Sequence, residues 1–194
     1  CHYIPHGVNT DAFAPIPASA VEVAKQKIGI PPDVFVVGMV AANKGYPTRK
    51  AFEQNLLAFK MLADKHKDVY LFMQTWTGEG GPSGRECLDL VAYARNIGLQ
   101  PGKNIVFCDQ FVNITTGFPD PYMVALYNSM DVLLSVSRGE GFGIPILEAQ
   151  ACGTPVITGD WTAMSELTFS GWKVGKNEAT LDPTWQMTNM YIPH

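Results

Sequence analysis

The chain has 194 residues, 46% of them hydrophobic and 16% charged, the balance of a folded domain rather than a disordered or collagen-like chain. That length suits one domain with a substantial core. The formal net charge of −4 supplies no global field for nucleic acid, so an anionic ligand has to be held by a few local groups in a pocket.

The four cysteines, Cys1, Cys87, Cys108 and Cys152, are scattered and form no C-x-x-C pair. This argues against a structural zinc site and for a reducing compartment. The longest apolar stretch, Val34 to Ala42, is about half the ~20 residues of a spanning helix, so no transmembrane segment is expected. Cys1 stands where an initiator methionine would be, and no charged-then-apolar leader follows it. The expectation is a fragment without a signal peptide, lacking something upstream.

In chain order, Tyr3 to Val8 reads as a short extended lead-in and a turn. Phe35-Val-Val-Gly-Met-Val40 is continuously apolar and rich in valine, as in a parallel strand covered on both faces. Phe52, Leu56, Phe59 and Ala63 recur at helical spacing, and Val69 to Met73 reads as a second strand. Ser83 is a candidate N-cap for a helix with Cys87, Leu90, Val91, Ala94 and Ile97 on its apolar face, ending near Gly98. Ile105 to Cys108 supplies a third strand. Pro121 opens a short helix over 122–129, and Asp131 to Val136 is again apolar after its first residue. Pro145 to Ala151 reads as a helix ended by Gly153, before a last clear strand at Pro155 to Thr158. The stretch 172–194 has two prolines and little periodicity, and residues 175–194 are expected to form an irregular tail.

Alternating strands and helices of this kind predict an α/β, doubly wound, Rossmann-like parallel sheet. Its ligands bind beyond the carboxyl ends of the strands, in the loops after Val40, Met73, Cys108 and Val136.

The strongest local signal lies after the strand ending at Val136. Gly139, Gly141 and Gly143 form a glycine-rich loop, and a helix opens at Pro145. Glycines admit close backbone approach, and free amides with the positive helix end favour an anion, so this is a phosphate site. Glu148, in the first turns of that helix, suits two adjacent hydroxyls such as those of a ribose. Glu140 sits in the loop, near the group beyond the phosphates. The bland alternative is a tight turn with two solvated glutamates. Nothing in the spacing brings the two carboxylates to the ~5 Å of a retaining hydrolase pair.

Glu140 and Glu148 are separated by seven intervening residues in Gly-Glu-Gly-Phe-Gly-Ile-Pro-Ile-Leu-Glu-Ala-Gln-Ala-Cys-Gly-Thr-Pro-Val. This resembles the E-x7-E signature of glycosyltransferase family 4, in the C-terminal nucleotide-sugar half of the retaining GT-B fold. Tyr3 to Phe13 and Leu126 to Val132 are similar to the segments that lead into this domain and into its signature, so the likeness runs from about Tyr3 to Val174. It implies one donor-binding domain over 1–194, with 1–13 as the lead-in from a missing N-terminal acceptor domain.

The resemblance also implies roles. Glu148 corresponds to the ribose ligand and Glu140 to the catalytic position near the transferred sugar. Gly141, Phe142, Gly143 and Ile144 correspond to the loop whose amides meet the diphosphate. Arg49 and Lys50, with Lys44, are the expected diphosphate cations, taking the place of a metal, so no metal and no cofactor beyond the donor are expected. Many relatives have Gly-Arg where this chain has Gly38-Met39, so one arginine is missing from its usual place. Lys44 is also readable as part of a solvated helix start. Phe111 and Val112 fall where the family holds the base, although an isolated aromatic such as Phe111 also fits a core position. His6 suits a turn, and His2, His66 and His194 lack metal-ligand spacing.

The implied activity is transfer of a sugar from a nucleoside diphosphate to a glycan, lipid or protein acceptor, with retention. The implied setting is cytoplasmic, with any membrane contact peripheral and made by the missing domain. A non-catalytic nucleotide-sugar-binding module is the alternative, for which Met39 speaks. A sugar-nucleotide epimerase or dehydrogenase is a third reading, opposed by the lack of G-x-G-x-x-G in Gly38 to Gly45.

Overall fold

The computed structural model describes residues 2, 4–45, 48–78, 87–181 and 189–193, with side chains described for all but 176–181 and 189–193. Helix α1 (Ala18–Lys27) precedes β1 (Phe35–Val40), α2 (Phe52–Lys65), β2 (Val69–Gln74), α3 (Leu90–Asn96) and β3 (Ile105–Phe107). Then come α4 (Gln110–Thr115), α5 (Asp120–Asn128), β4 (Val132–Ser135), α6 (Ile144–Ala151), β5 (Val156–Gly159), α7 (Thr162–Leu167) and β6 (Gly171–Val174). The six strands form one sheet in the order β3-β2-β1-β4-β5-β6. Every pairing in it is parallel, so the doubly wound α/β expectation holds.

The apolar runs become strands because both sheet faces are covered. Val36, Val37, Met39, Leu71, Phe72, Met73 and Leu133 are all buried, where removal from water contributes about 25 cal/mol per Å². Helix α2 adds Phe52, Leu56, Phe59 and Ala63 to this core, the four positions that its spacing predicts. Met39 is buried in the core, so this position presents no side chain to a ligand. Strand β1 also carries Gly38, where a Cβ would lie 2.0 Å from Met130 Sδ. The corner before β4 thus packs on bare backbone.

At the amino end of the sheet Lys25 is buried but satisfied. Its Nζ donates to Pro32 O and Val34 O and lies 3.7 Å from Asp131, as a buried charge requires. Asp131 in turn accepts from Val36 N at 2.7 Å, fixing the start of β4 beside β1.

Several sequence expectations need correction. Among the described residues the cap of α3 is Asp89, which accepts from Ala92 N at 2.8 Å; Ser83 lies outside them. Residues after Cys108, read as a loop, form α4, because Asp109 caps it through Val112 N. The tail is not uniformly irregular: β6 pairs with β5 from Val156↔Gly171 to Gly159↔Val174. Beyond it, β7 (Lys176–Leu181) and β8 (Asn189–Pro193) pair antiparallel. Strand pairing is decided by a distant partner, which periodicity along one segment does not reveal. Helices α1 and α7 went unread because they bury little, Ala24 and Lys25 in one and Met164 in the other.

Candidate functional site

Strands β1 and β4 are neighbours, yet their following connections run away in opposite directions along the sheet. Ligands of doubly wound sheets occupy the crevice at this switch point. A cavity of about 650 Å³ lies there, lined by Val40 to Lys44 at the end of β1 and beyond, Arg49 and Lys50, Gln74 to Trp76 at the end of β2, Asn113 and Ile114 of α4, and Pro145 of α6. Such a volume suits a small-molecule ligand. Its walls are mixed: apolar strand ends on one side, cations on another.

The cations stand on a rigid turn. Thr48 Oγ1 accepts from Phe52 N at 3.2 Å and donates to Glu53 Oε2 at 2.6 Å. Ala51 then adopts a left-handed conformation, φ 48° and ψ 43°, at the start of α2. A non-glycine residue there is strained and is held by its surroundings. The holding group is Asn55, a buried amide whose Nδ2 donates to Lys50 O at 3.1 Å, Ala51 O at 3.0 Å and Val136 O at 2.7 Å. One side chain thus ties the cation turn to the end of β4. Arg138 N completes the tie by donating to Arg49 O at 2.8 Å.

Glu140 meets that turn. Lys50 Nζ donates to Glu140 Oε2 and forms an ion pair with it. Arg49 Nη1 donates to Gly139 O at 2.6 Å and lies 3.4 Å from Glu140 Oε1. Ser137 Oγ adds a bond of 3.4 Å to Glu140 Oε2. Burial pushes the Lys50 ammonium below its usual range, opposed by the attraction of Glu140 and helped by Arg49 and Lys44. The loop is braced from behind, where Trp161 Nε1 donates to Ser137 O at 3.0 Å and Thr162 Oγ1 accepts from Glu140 N at 3.2 Å.

Glu148 sits on α6 three residues beyond Pro145, and residues three apart share a helix face. Tyr127 of α5 donates to Glu148 Oε2 at 2.6 Å. Burial raises the Glu148 carboxyl, as does nearby Asp120, while the Tyr127 hydrogen bond pulls it down.

The model of the family described as "Glycosyl transferases group 1" matches residues 31–183. The chain belongs to this family. A D-inositol 3-phosphate glycosyltransferase of Corynebacterium jeikeium is 32% identical over 155 residues, 79% of this chain and 34% of the relative. One of Catenulispora acidiphila is 29% identical over 163 residues, 80% of this chain and 34% of the relative. The chain therefore spans about a third of the length of these relatives. Among solved structures, a glycosyltransferase from Rickettsia africae has a TM-score of 0.65 and 24% identity, over 89% of this chain and 42% of that one. The C-terminal domain of a group 1 family protein from Francisella tularensis has a TM-score of 0.64 and 24% identity, over 87% and 80%. An Anabaena protein solved with UDP-glucose has a TM-score of 0.64 and 22% identity, over 89% and 43%. These likenesses match the Rossmann-like fold of this chain to that of GT-B glycosyltransferase structures.

In this chain Arg49, Lys50 and exposed Lys44 all line the cavity, and Glu140 joins the first two. Gly143 starts α6 in a left-handed conformation, φ 100°, and a Cβ there would lie 2.9 Å from Ile146 Cδ1 and 3.2 Å from Glu140 Cγ. Beside Gly141 there is open space. Phe142 meets the ring of His6 edge-on at 5.1 Å, which brings the lead-in to the glycine loop. Ile144 is partly exposed, at 43%, at the head of α6. Phe111 is 76% exposed and lies on α4 outside the cavity lining, so it is neither a core residue nor a wall. Val112 spends its amide on the Asp109 cap, and the cavity is instead walled by Asn113 and Ile114.

Sequence reading missed Asn55, Tyr127 and Thr75. Asn55 carried a signal, an amide within the apolar face of Phe52, Leu56 and Phe59. Thr75, whose buried Oγ1 has no hydrogen-bond partner among the described residues, lines the cavity. Its signal was a polar residue at the end of an apolar strand.

Proposed function

We propose that this chain is the nucleotide-sugar donor domain of a retaining, family 4-like glycosyltransferase, fully assembled only with an N-terminal acceptor domain. The observation that carries it is the joining of Arg49, Lys50 and Glu140 beside the glycine loop and the start of α6, at the sheet's switch point. In this reading the diphosphate lies between the Gly141 to Ile144 amides and the two cations, where the helix end favours negative charge. The ribose hydroxyls reach Glu148, and the base lies along Gln74 to Trp76 and Asn113 to Ile114. The sugar extends toward Glu140.

Transfer then proceeds as the bond from the anomeric carbon to the β-phosphate oxygen breaks and positive charge grows on the sugar. Arg49 and Lys50 stabilise the departing phosphate without a metal. The acceptor hydroxyl attacks on the face that the phosphate leaves, the phosphate takes its proton, and configuration is retained. Glu140 positions the sugar and stabilises its charge. The acceptor, whether glycan, lipid or protein, is held mostly by the other domain, so this chain alone binds donor and turns over little.

The alternative, a binding module without catalysis, rested on Met39. That side chain is buried in the core, and the cavity's cations come from the Arg49 turn, so Met39 gives the alternative no support. None of the helices among the described residues is long and apolar enough to cross a membrane. We place the protein in a reducing, cytoplasmic setting, a reading supported by the scattered cysteines. The test is calorimetry with UDP, GDP and ADP and then their sugars, starting with UDP-glucose, which the Anabaena structure holds. No heat of binding with any of them sinks the donor reading.

A further inference from the structure

We propose that Tyr127 is a positioning residue that makes Glu148 selective for ribose over deoxyribose. The inference rests on the donor reading above.

Tyr127 belongs to α5 and is fully buried. Its ring lies 6.2 Å from that of Phe13, and its carbonyl accepts from Thr154 Oγ1 at 2.7 Å. Both ends of the residue are therefore held, and its hydroxyl has one place to be. That hydroxyl donates to Glu148 Oε2 at 2.6 Å. Burial and the facing carboxylate push the phenol well above its usual range, so it remains a donor wherever proteins function.

The consequence falls on the other oxygen. Among the described residues Glu148 Oε1 has no hydrogen bond, whereas Oε2 is engaged by Tyr127. A carboxylate tied at one oxygen cannot rotate freely, so Oε1 accepts in one fixed direction. Selectivity for a hydroxyl depends on such fixed geometry, because a group that can turn to water loses little when the hydroxyl is missing. Tyr127 touches no ligand and acts only through Glu148.

The experiment compares binding of UDP, GDP and ADP with binding of their 2′-deoxy and 3′-deoxy forms by calorimetry. The proteins are wild type, Tyr127→Phe, Glu148→Ala and the double variant. Wild type is expected to prefer the ribose form by about tenfold or more, the worth of one hydrogen bond to a charged acceptor. Tyr127→Phe is expected to lose most of that preference, with its affinity for the deoxy forms little changed. In a Glu148→Ala background, which leaves Tyr127 no group at 148 to position, Tyr127→Phe is expected to change the preference no further. That second comparison also serves if the single Phe variant does not fold, since it removes the carboxylate left without its donor. Full preference retained in Tyr127→Phe overturns the inference alone, as does a further loss of preference in the double variant. Wild type that binds nucleotide without preferring ribose overturns the Glu148 assignment and this inference together. Wild type that binds no nucleotide overturns the donor reading itself.

Discussion

Lys50 and Glu140 are 90 residues apart in sequence and form an ion pair, with Nζ donating to Oε2, where the connections after β1 and β4 meet. Their side chains are only 17% and 12% exposed. Glu140 is therefore the counter-ion of a cation that the proposed diphosphate also needs.

That competition sets a sign for Glu140→Gln. A bound diphosphate has to take Lys50 and Arg49 from the carboxylate while tolerating its negative charge nearby. Removing a like charge at ~4 Å is worth ~1 kcal/mol even in water, roughly fivefold in affinity. Calorimetry is expected to show Glu140→Gln binding nucleoside diphosphate at least that much more tightly, while the assembled enzyme loses turnover. Weaker binding by the variant counts against the competition.

Lys50→Met is expected to weaken diphosphate binding by about 10- to 100-fold, the loss of one charge-assisted bond. The wild-type pH profile follows from the Lys50 ammonium being pushed below its usual range by burial. Between that lowered pKa and the ordinary lysine value of 10.5, the unfolded chain holds more protons on this group than the folded one. This group's contribution to stability therefore rises with pH across that window, whereas diphosphate affinity falls, because only charged Lys50 binds phosphate. Opposite slopes in a thermal-shift series and a binding series over the same pH range are the expected signature.

For Glu148 the sign runs the other way. Burial raises its carboxyl above 4.5, so between 4.5 and the raised value the folded state holds more protons, and stability falls as pH increases. Glu148→Gln keeps an acceptor for Tyr127 and removes the buried charge. Its melting temperature is expected to exceed that of wild type at pH 7, with the gap closing as pH drops through the raised value. Ribose-dependent nucleotide binding weakens in the same variant.

Two glycines of one loop separate folding from binding. Gly143→Ala forces a left-handed residue and crowds Ile146 and Glu140, a cost of about 1–2 kcal/mol, or roughly a 2–8 °C fall in melting temperature. Gly141→Ala meets open space and is expected to leave melting nearly unchanged while weakening nucleotide binding, because its methyl group occupies the approach to the amides. Equal melting losses in both variants overturn this division.

Local pattern determined much of this protein. The apolar runs became β1, β2 and β4, the spacing of Phe52 to Ala63 became the buried face of α2, and Pro121 and Pro145 stand in the first turns of α5 and α6. The glycine loop, with Glu140 before α6 and Glu148 on it, was legible because chemistry and chain order coincide there. Tertiary structure alone decided what those residues meet. The order β3-β2-β1-β4-β5-β6 places the turn after β1 beside the loop after β4, and only then do Arg49 and Lys50 find Glu140. It also turned Asn55 into the clamp on a left-handed Ala51, set Tyr127 against Glu148, left Phe111 on the outer side of α4, and gave β6 its partner. These outcomes depend on contacts between segments far apart in the chain, whereas periodicity and capping report only how a segment satisfies its own backbone and buries its own face.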